Sequence, residues 1–184
     1  MRHPRILEAD RAILLVIDVQ EKFKNHIFEF SDLCKNIVTL IKAADILNVP
    51  VVVTEQYPKG LGATVDEIKS HLTEYELFEK DCFSSFGVKE LADWLESSGR
   101  KQVIVCGIET HVCVSQTAHD LMFNGYDVHL VCDAVSSRFE KNKEIGIKKI
   151  VTAGGVPTCV EAALFEMLVA SGTDTFKEVQ KLVK

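Results

Sequence analysis

Four short stretches of this chain are apolar at both parities: AILLVID at 12–18, PVVVTE at 50–55, KQVIVCG at 101–107 and DVHLVCD at 127–133. Successive side chains of a strand point to opposite faces, so a run with no alternation predicts a strand covered on both sides. Helical patterns lie between these runs. Ser31 is placed to cap a helix whose stripe is Leu33, Ile37, Leu40, Ile41, Ala44 and Leu47, ended by Asn48 and Pro50. Further helices are expected over 88–98, closed by Gly99, over 112–124, closed by Gly125, and over 140–152. Thr158 and Glu161 read as a capping box for a helix to about Ala170, after a turn at AGGVP, and 174–183 is a last amphipathic segment. YELFEK at 75–80 adds another strand, and QYPKGLG reads as an irregular loop. Buried strands joined through helices predict an α/β chain, a three-layer α/β/α sandwich around a mainly parallel sheet. No linker or repeat divides residues 1–184, so one domain is expected.

The composition narrows the partners. A net charge of -6 argues against phosphate backbones and anionic membrane surfaces, which call for a basic face. The basic cluster Arg138, Lys141, Lys143, Lys148 and Lys149 is interleaved with Glu140 and Glu144 and reads as a solvated helix face. No apolar stretch is long enough to cross a bilayer, and MRHPRILEAD lacks the apolar segment of a secretion leader, so a cytoplasmic setting is expected. The six cysteines, at 34, 82, 106, 113, 132 and 159, contain no C-x-x-C pair and suggest neither a disulfide framework nor a zinc site.

Ligands of parallel α/β sheets gather beyond the carboxyl ends of the strands, where Asp18, Glu55, Lys80, Gly107 and Cys113 all fall. A cysteine in the first turn of a helix feels unpaired amides that favour thiolate, although position alone does not separate a nucleophile from a space-filling thiol. Asp18 ends an apolar strand, where a carboxylate needs a partner or else serves as a turn cap. Lys80 is a buried counter-ion or an ordinary solvated lysine. The histidines do not supply a Cys–His pair. His119 lies six residues after Cys113 on another helix face, His111 reads as a loop or solvent residue, and His129 lies within a strand.

Asp18, Lys80 and Cys113, in that order, carry a resemblance to the isochorismatase-like superfamily of cysteine hydrolases over nearly the whole chain. The matching pieces are LLVIDVQEKF with Asp18, Gln20 and Phe23, EKDCFSSF with Lys80, and GIETHVCVSQTAHDLMFNGYDV with Cys113. VVVTEQYPKGLG and DAVSSR resemble the branch called isochorismatase domain-containing proteins. The resemblance implies a Rossmann-like sheet and an Asp–Lys–Cys triad: Cys113 as nucleophile, Asp18 as proton shuttle, Lys80 as the cation that stabilises thiolate. It also implies a non-proline cis peptide between Ile108 and Glu109, with the amides of Glu109 and Cys113 turned toward one oxyanion.

The implied reaction is hydrolysis of a small amide or related C–N bond through a thioester. Nicotinamidases of the superfamily carry an Asp-x-His metal segment after the second strand, where this chain has TEQYPKG, so neither a metal nor another cofactor is expected. Phe23, Tyr57, Phe83 and Phe86 are the expected walls of an aromatic substrate pocket. A small-molecule substrate, no nucleic-acid or membrane partner, and a homo-oligomer complete the expectation. Two other classes stand beside it: a catalytically silent binding protein on the same scaffold, and a thiol redox protein with Cys82 as resolving cysteine.

Overall fold

The computed structural model describes residues 2–184. The chain runs β1 (Ala12–Ile17), α1 (Phe30–Leu47), β2 (Val51–Gln56), the short helices α2 (Pro58–Leu61) and α3 (Asp66–Lys69), then β3 (Glu76–Lys80) and α4 (Lys89–Ser97). It continues through β4 (Gln102–Ile108), α5 (Ser115–Phe123), β5 (Asp127–Ser136), α6 (Glu140–Thr152), β6 (Val156–Thr158), α7 (Val160–Leu168) and α8 (Asp174–Gln180). All five strand pairings are parallel, in the order β3-β2-β1-β4-β5-β6.

The doubly apolar runs are explained by two cores. On one face Leu14, Val16, Val53 and Ile104 pack with Ile37 and Leu40 of α1, Leu164 of α7 and Val179 of α8. On the other, Ile13, Leu15, Val52 and Val105 pack with Leu91 of α4, Leu121 of α5 and Ile150 of α6. Odd and even residues of one strand thus serve different cores, which is the three-layer sandwich expected. Strand order reverses between β1 and β4, and the carboxyl ends of those strands flank the crevice where such sheets place ligands.

Local departures have physical causes. Helix α1 begins at Phe30 after Glu29 in a left-handed conformation, so Ser31 lies inside the helix instead of capping it. Cys159, not Thr158, stands at the start of α7; the first-turn backbone N–H of Val160 donates to Asp133 of β5, at 3.0 and 3.3 Å from its two carboxylate oxygens. The expected AGGVP turn contains the start of β6, an edge strand with Pro157, where a missing N–H is tolerated. The loop after β2 folds into a helical turn, with Pro58 at its start as first-turn geometry favours.

His129 on β5 is fully buried, and neither ring nitrogen has a hydrogen-bond partner. Burial pushes its pKa down despite the opposing pull of Glu166 and Asp127. The unfolded imidazole therefore binds a proton first, near its ordinary value of about 6.5, and stability is lost as pH falls below that value toward the lowered folded one. The loss approaches about 1.4 kcal/mol per pH unit within that window. His129→Phe is expected to flatten the fall in melting temperature between about pH 7 and about pH 5. An acid limb unchanged in the variant would contradict this role.

Candidate active site

Asp18 follows β1 with φ of 55°, a left-handed conformation that aspartate tolerates better than most residues. Its backbone N–H donates to the Thr54 carbonyl at 3.1 Å, which anchors the turn to β2. The side chain turns inward, where Thr54 Oγ1 donates to Oδ1 at 2.7 Å. Lys80 Nζ, from the end of β3, lies 2.6 Å from Oδ2, and the two side chains are 0 % and 2 % exposed for Lys80 and Asp18. The ammonium meets Oδ2 outside hydrogen-bond angles, so this oxygen has no directed donor and keeps a lone pair open. Lys80 Nζ also donates to Gln56 Oε1 at 2.7 Å and to the carbonyls of Cys82 and Phe83, each at 3.2 Å.

Cys113 comes from the other side of the strand-order reversal. A single π-helical turn, Thr110–Val114, connects β4 to α5 and carries the cysteine; turns of this kind recur at functional sites. Two glycines let neighbouring elements close on this turn. A Cβ on Gly107, whose φ is +111°, would lie 2.1 Å from the Ile17 carbonyl oxygen of β1. One on Gly146 of α6 would lie 2.7–2.8 Å from backbone atoms of Thr110 and His111. The Ile108–Glu109 peptide is cis. Glu109 is tied down by Arg138, whose backbone N–H and Nε donate to Oε2 at 2.9 and 3.1 Å.

The Cys113 thiol is only 8 % exposed. Burial pushes its pKa up to about 12, the charge of Asp18 adds to that rise, and Lys80 pulls the other way without cancelling it. Both members of the ion pair thus act on the sulfur, but the thiol is the resting form. Removal from water, reinforced by Asp18, outweighs the cation.

The other residues singled out in the sequence divide between site and scaffold. Tyr57 and Phe83, each 55 % exposed, follow the ends of β2 and β3. Tyr57 borders an open cavity of about 330 Å³ with Pro58, Glu79 and Asp81. Phe23 packs against the α1 core, and Phe86 against the opposite core, where it meets Tyr126 edge-to-face at 6.0 Å. Glu55 accepts from both the backbone N–H and the hydroxyl of Thr64. His111 Nδ1 lies 3.1 Å from Ser137 Oγ, and His119 Nδ1 lies 2.6 Å from the Ser115 carbonyl. Cys82 is exposed, with its thiol donating to the Ser84 carbonyl. Among the described residues no group of three or more His, Cys, Asp and Glu side chains is arranged to hold a metal ion. Thr54 and Gln56 were not anticipated; their signal is two uncharged polar residues flanking Glu55 at the end of a strand that begins Val51–Val53.

Comparison with known proteins places this geometry. The family model for the isochorismatase domain matches residues 12–162. The secreted isochorismatase effector Isc1 of Phytophthora sojae is 43% identical over 178 residues, which cover 94% of this chain and 84% of that protein. Isochorismatase domain-containing protein 2 of Danio rerio is 37% identical over 183 residues, covering 96% of this chain and 89% of the relative. Among solved structures, the MAR1 ribonuclease from Caenorhabditis elegans superposes with a TM-score of 0.92 at 42% identity, covering 96% of this chain and 91% of that one.

Asp18→Asn removes a charge that holds the thiol protonated. Its Cys113 is expected to be alkylated by iodoacetamide at least about tenfold faster at a fixed mildly alkaline pH, read by mass spectrometry of the Cys113 peptide. An unchanged or slower rate would sever the electrostatic link between the two residues. Gly146→Ala drives a methyl group into the backbone of the nucleophile turn and is expected to cost about 1–3 kcal/mol in chemical denaturation. Parent-like stability would show that α6 does not clamp this turn.

Proposed function

The chain belongs to the isochorismatase family, and on that premise we propose that it is a metal-independent cysteine hydrolase acting on a small amide or related C–N bond. The observation that carries this reading is the buried Asp18–Lys80 pair, 2.6 Å apart, with both charges acting on the Cys113 thiol. A binding protein gains little from a desolvated ion pair beside a thiol, because such a pair is costly to bury.

In this reading Cys113 Sγ attacks the substrate carbonyl as its proton passes to Asp18 Oδ2, the oxygen with the open lone pair. The backbone amides of Glu109 and Cys113 receive the oxyanion, and fixed donors of this kind need no reorganisation as charge develops. Collapse of the tetrahedral adduct breaks the C–N bond, and Asp18 returns the proton to the leaving amine. A water molecule then gives a proton to Asp18 and attacks the thioester carbonyl. The carboxylic acid departs, and the proton returns to the Cys113 sulfur. Lys80 remains cationic throughout and offsets the negative charge that would otherwise accumulate around Asp18.

Small substrates fit a nucleophile as buried as Cys113. RNA is not part of this reading, although one structural neighbour is named a ribonuclease, since a chain of net charge -6 offers little to a phosphate backbone. A cytoplasmic setting is included, supported by six unpaired cysteines, while one relative is named as secreted. Self-association is included too, supported by the exposed apolar side chains of Phe123, Phe139 and Ile145.

Screening amides, ureas and carbamoyl compounds for ammonia or amine release tests the reading. At least one is expected to turn over, with Cys113→Ala lowering the rate by about 10²-fold or more and RNA left intact. Turnover that survives Cys113→Ala, or cleavage of RNA with none of the amides, would overturn it.

A further inference from the structure

Residues two apart on a strand share a face, so Thr54 and Gln56 project together from the carboxyl end of β2. Thr54 Oγ1 donates to Asp18 Oδ1, and Gln56 Oε1 accepts from Lys80 Nζ, both at 2.7 Å. One strand end therefore holds the anion with a donor and the cation with an acceptor.

Gln56 is itself firmly placed. Gln20, fully buried, receives the Gln56 backbone N–H on Oε1 at 2.8 Å, and its Nε2 donates to the Gln56 carbonyl at 2.9 Å and to the Gly62 carbonyl at 2.6 Å. The far end of the Gln56 side chain is pinned by donation from Nε2 to the Asp81 carbonyl at 2.8 Å. With both ends anchored, Oε1 faces the ammonium in one orientation.

An ammonium has three protons to give. Around Lys80 Nζ stand four oxygens: Asp18 Oδ2 at 2.6 Å, Gln56 Oε1 at 2.7 Å, and the carbonyls of Cys82 and Phe83 at 3.2 Å. The Gln56 oxygen and the two carbonyls accept its hydrogen bonds, while Asp18 Oδ2 holds the ammonium by charge.

We propose that Gln56 is a positioning residue that rations the Lys80 charge: by accepting a hydrogen bond from the ammonium it seats Lys80 against Asp18 and limits what the cation offers to Cys113. A thiol at rest is protected, because oxidation and adventitious alkylation proceed through thiolate. The hydrogen bonds of Gln56 run to Gln20, Asp81 and Lys80, so its influence on the thiol passes through Lys80. The inference rests on Cys113 as the nucleophile of the proposed hydrolase, yet its test needs no substrate.

The full-length protein and two variants are treated with iodoacetamide at one mildly alkaline pH, and the alkylation rate of Cys113 is read by mass spectrometry. Gln56→Leu frees an ammonium proton for sulfur, and the rate is expected to rise about tenfold, equivalent to one pH unit. Gln56→Glu keeps the acceptor and adds negative charge, and the rate is expected to fall by about the same factor. A merely loosened strand end would move both rates the same way. Opposite shifts support the proposal, and any other pattern overturns it. Should Gln56→Leu fail to fold, Gln56→Met makes the same deletion with an unbranched side chain. Failure of the amide reading would appear separately, as no ammonia or amine release by the parent protein, and would leave these rates interpretable.

Discussion

Asp18 and Lys80 lie 2.6 Å apart with side chains almost wholly out of water. Burying either charge alone costs several kcal/mol, so the pair survives only because each member is further satisfied. Thr54 supplies the carboxylate with a donor, and Gln56 and two carbonyls receive the ammonium protons. These groups come from β1, β2, β3 and the loop after β3, so the pair ties three neighbouring strand ends into one polar floor. The thiol arrives from β4 across the reversal of strand order. Burial and the two charges of that floor act together on its protonation.

The scaffold makes the convergence possible through close approach. Gly107 lets β4 pass against the backbone of β1, and Gly146 lets α6 rest directly on the turn that carries Cys113. Arg138, just beyond β5, fixes Glu109 from the far side. The nucleophile turn is thereby held by a strand on one side, a helix on another and an ion pair at its start. Such constraint serves the proposed reaction, in which proton transfer between sulfur and carboxylate depends on fixed separation.

The sequence was legible wherever one local pattern decided the outcome. Runs such as AILLVI declare a strand buried on both faces, and the helix at 140–152 has its observed limits because its neighbours on either side break the pattern. It was opaque where a distant residue intervened. Asp133 of β5 serves the start of α7, a contact invisible to local capping rules, and three-residue β6 is masked by Pro157. Asp18, Lys80 and Cys113 each had an ordinary structural alternative, and only their order within longer family-like segments singled them out. Phe23 and Phe86 lie within those segments and pack against the cores. Thr54 and Gln56 escaped notice because an uncharged polar residue at a strand end also marks an ordinary boundary.

In the proposed reaction the thiol loses its proton as it attacks, with Asp18 as the base and Lys80 as a fixed counter-charge. A thiolate formed in advance would require the cation to outweigh both burial and the neighbouring carboxylate. The most direct measurement is a pH titration of the Cys113 side chain by NMR, with carbon-13 at the cysteine β position, in the resting protein. A thiol signal that persists well above the ordinary cysteine value of about 8.5 is expected. A midpoint at or below that value would contradict proton transfer to Asp18 as part of the attack.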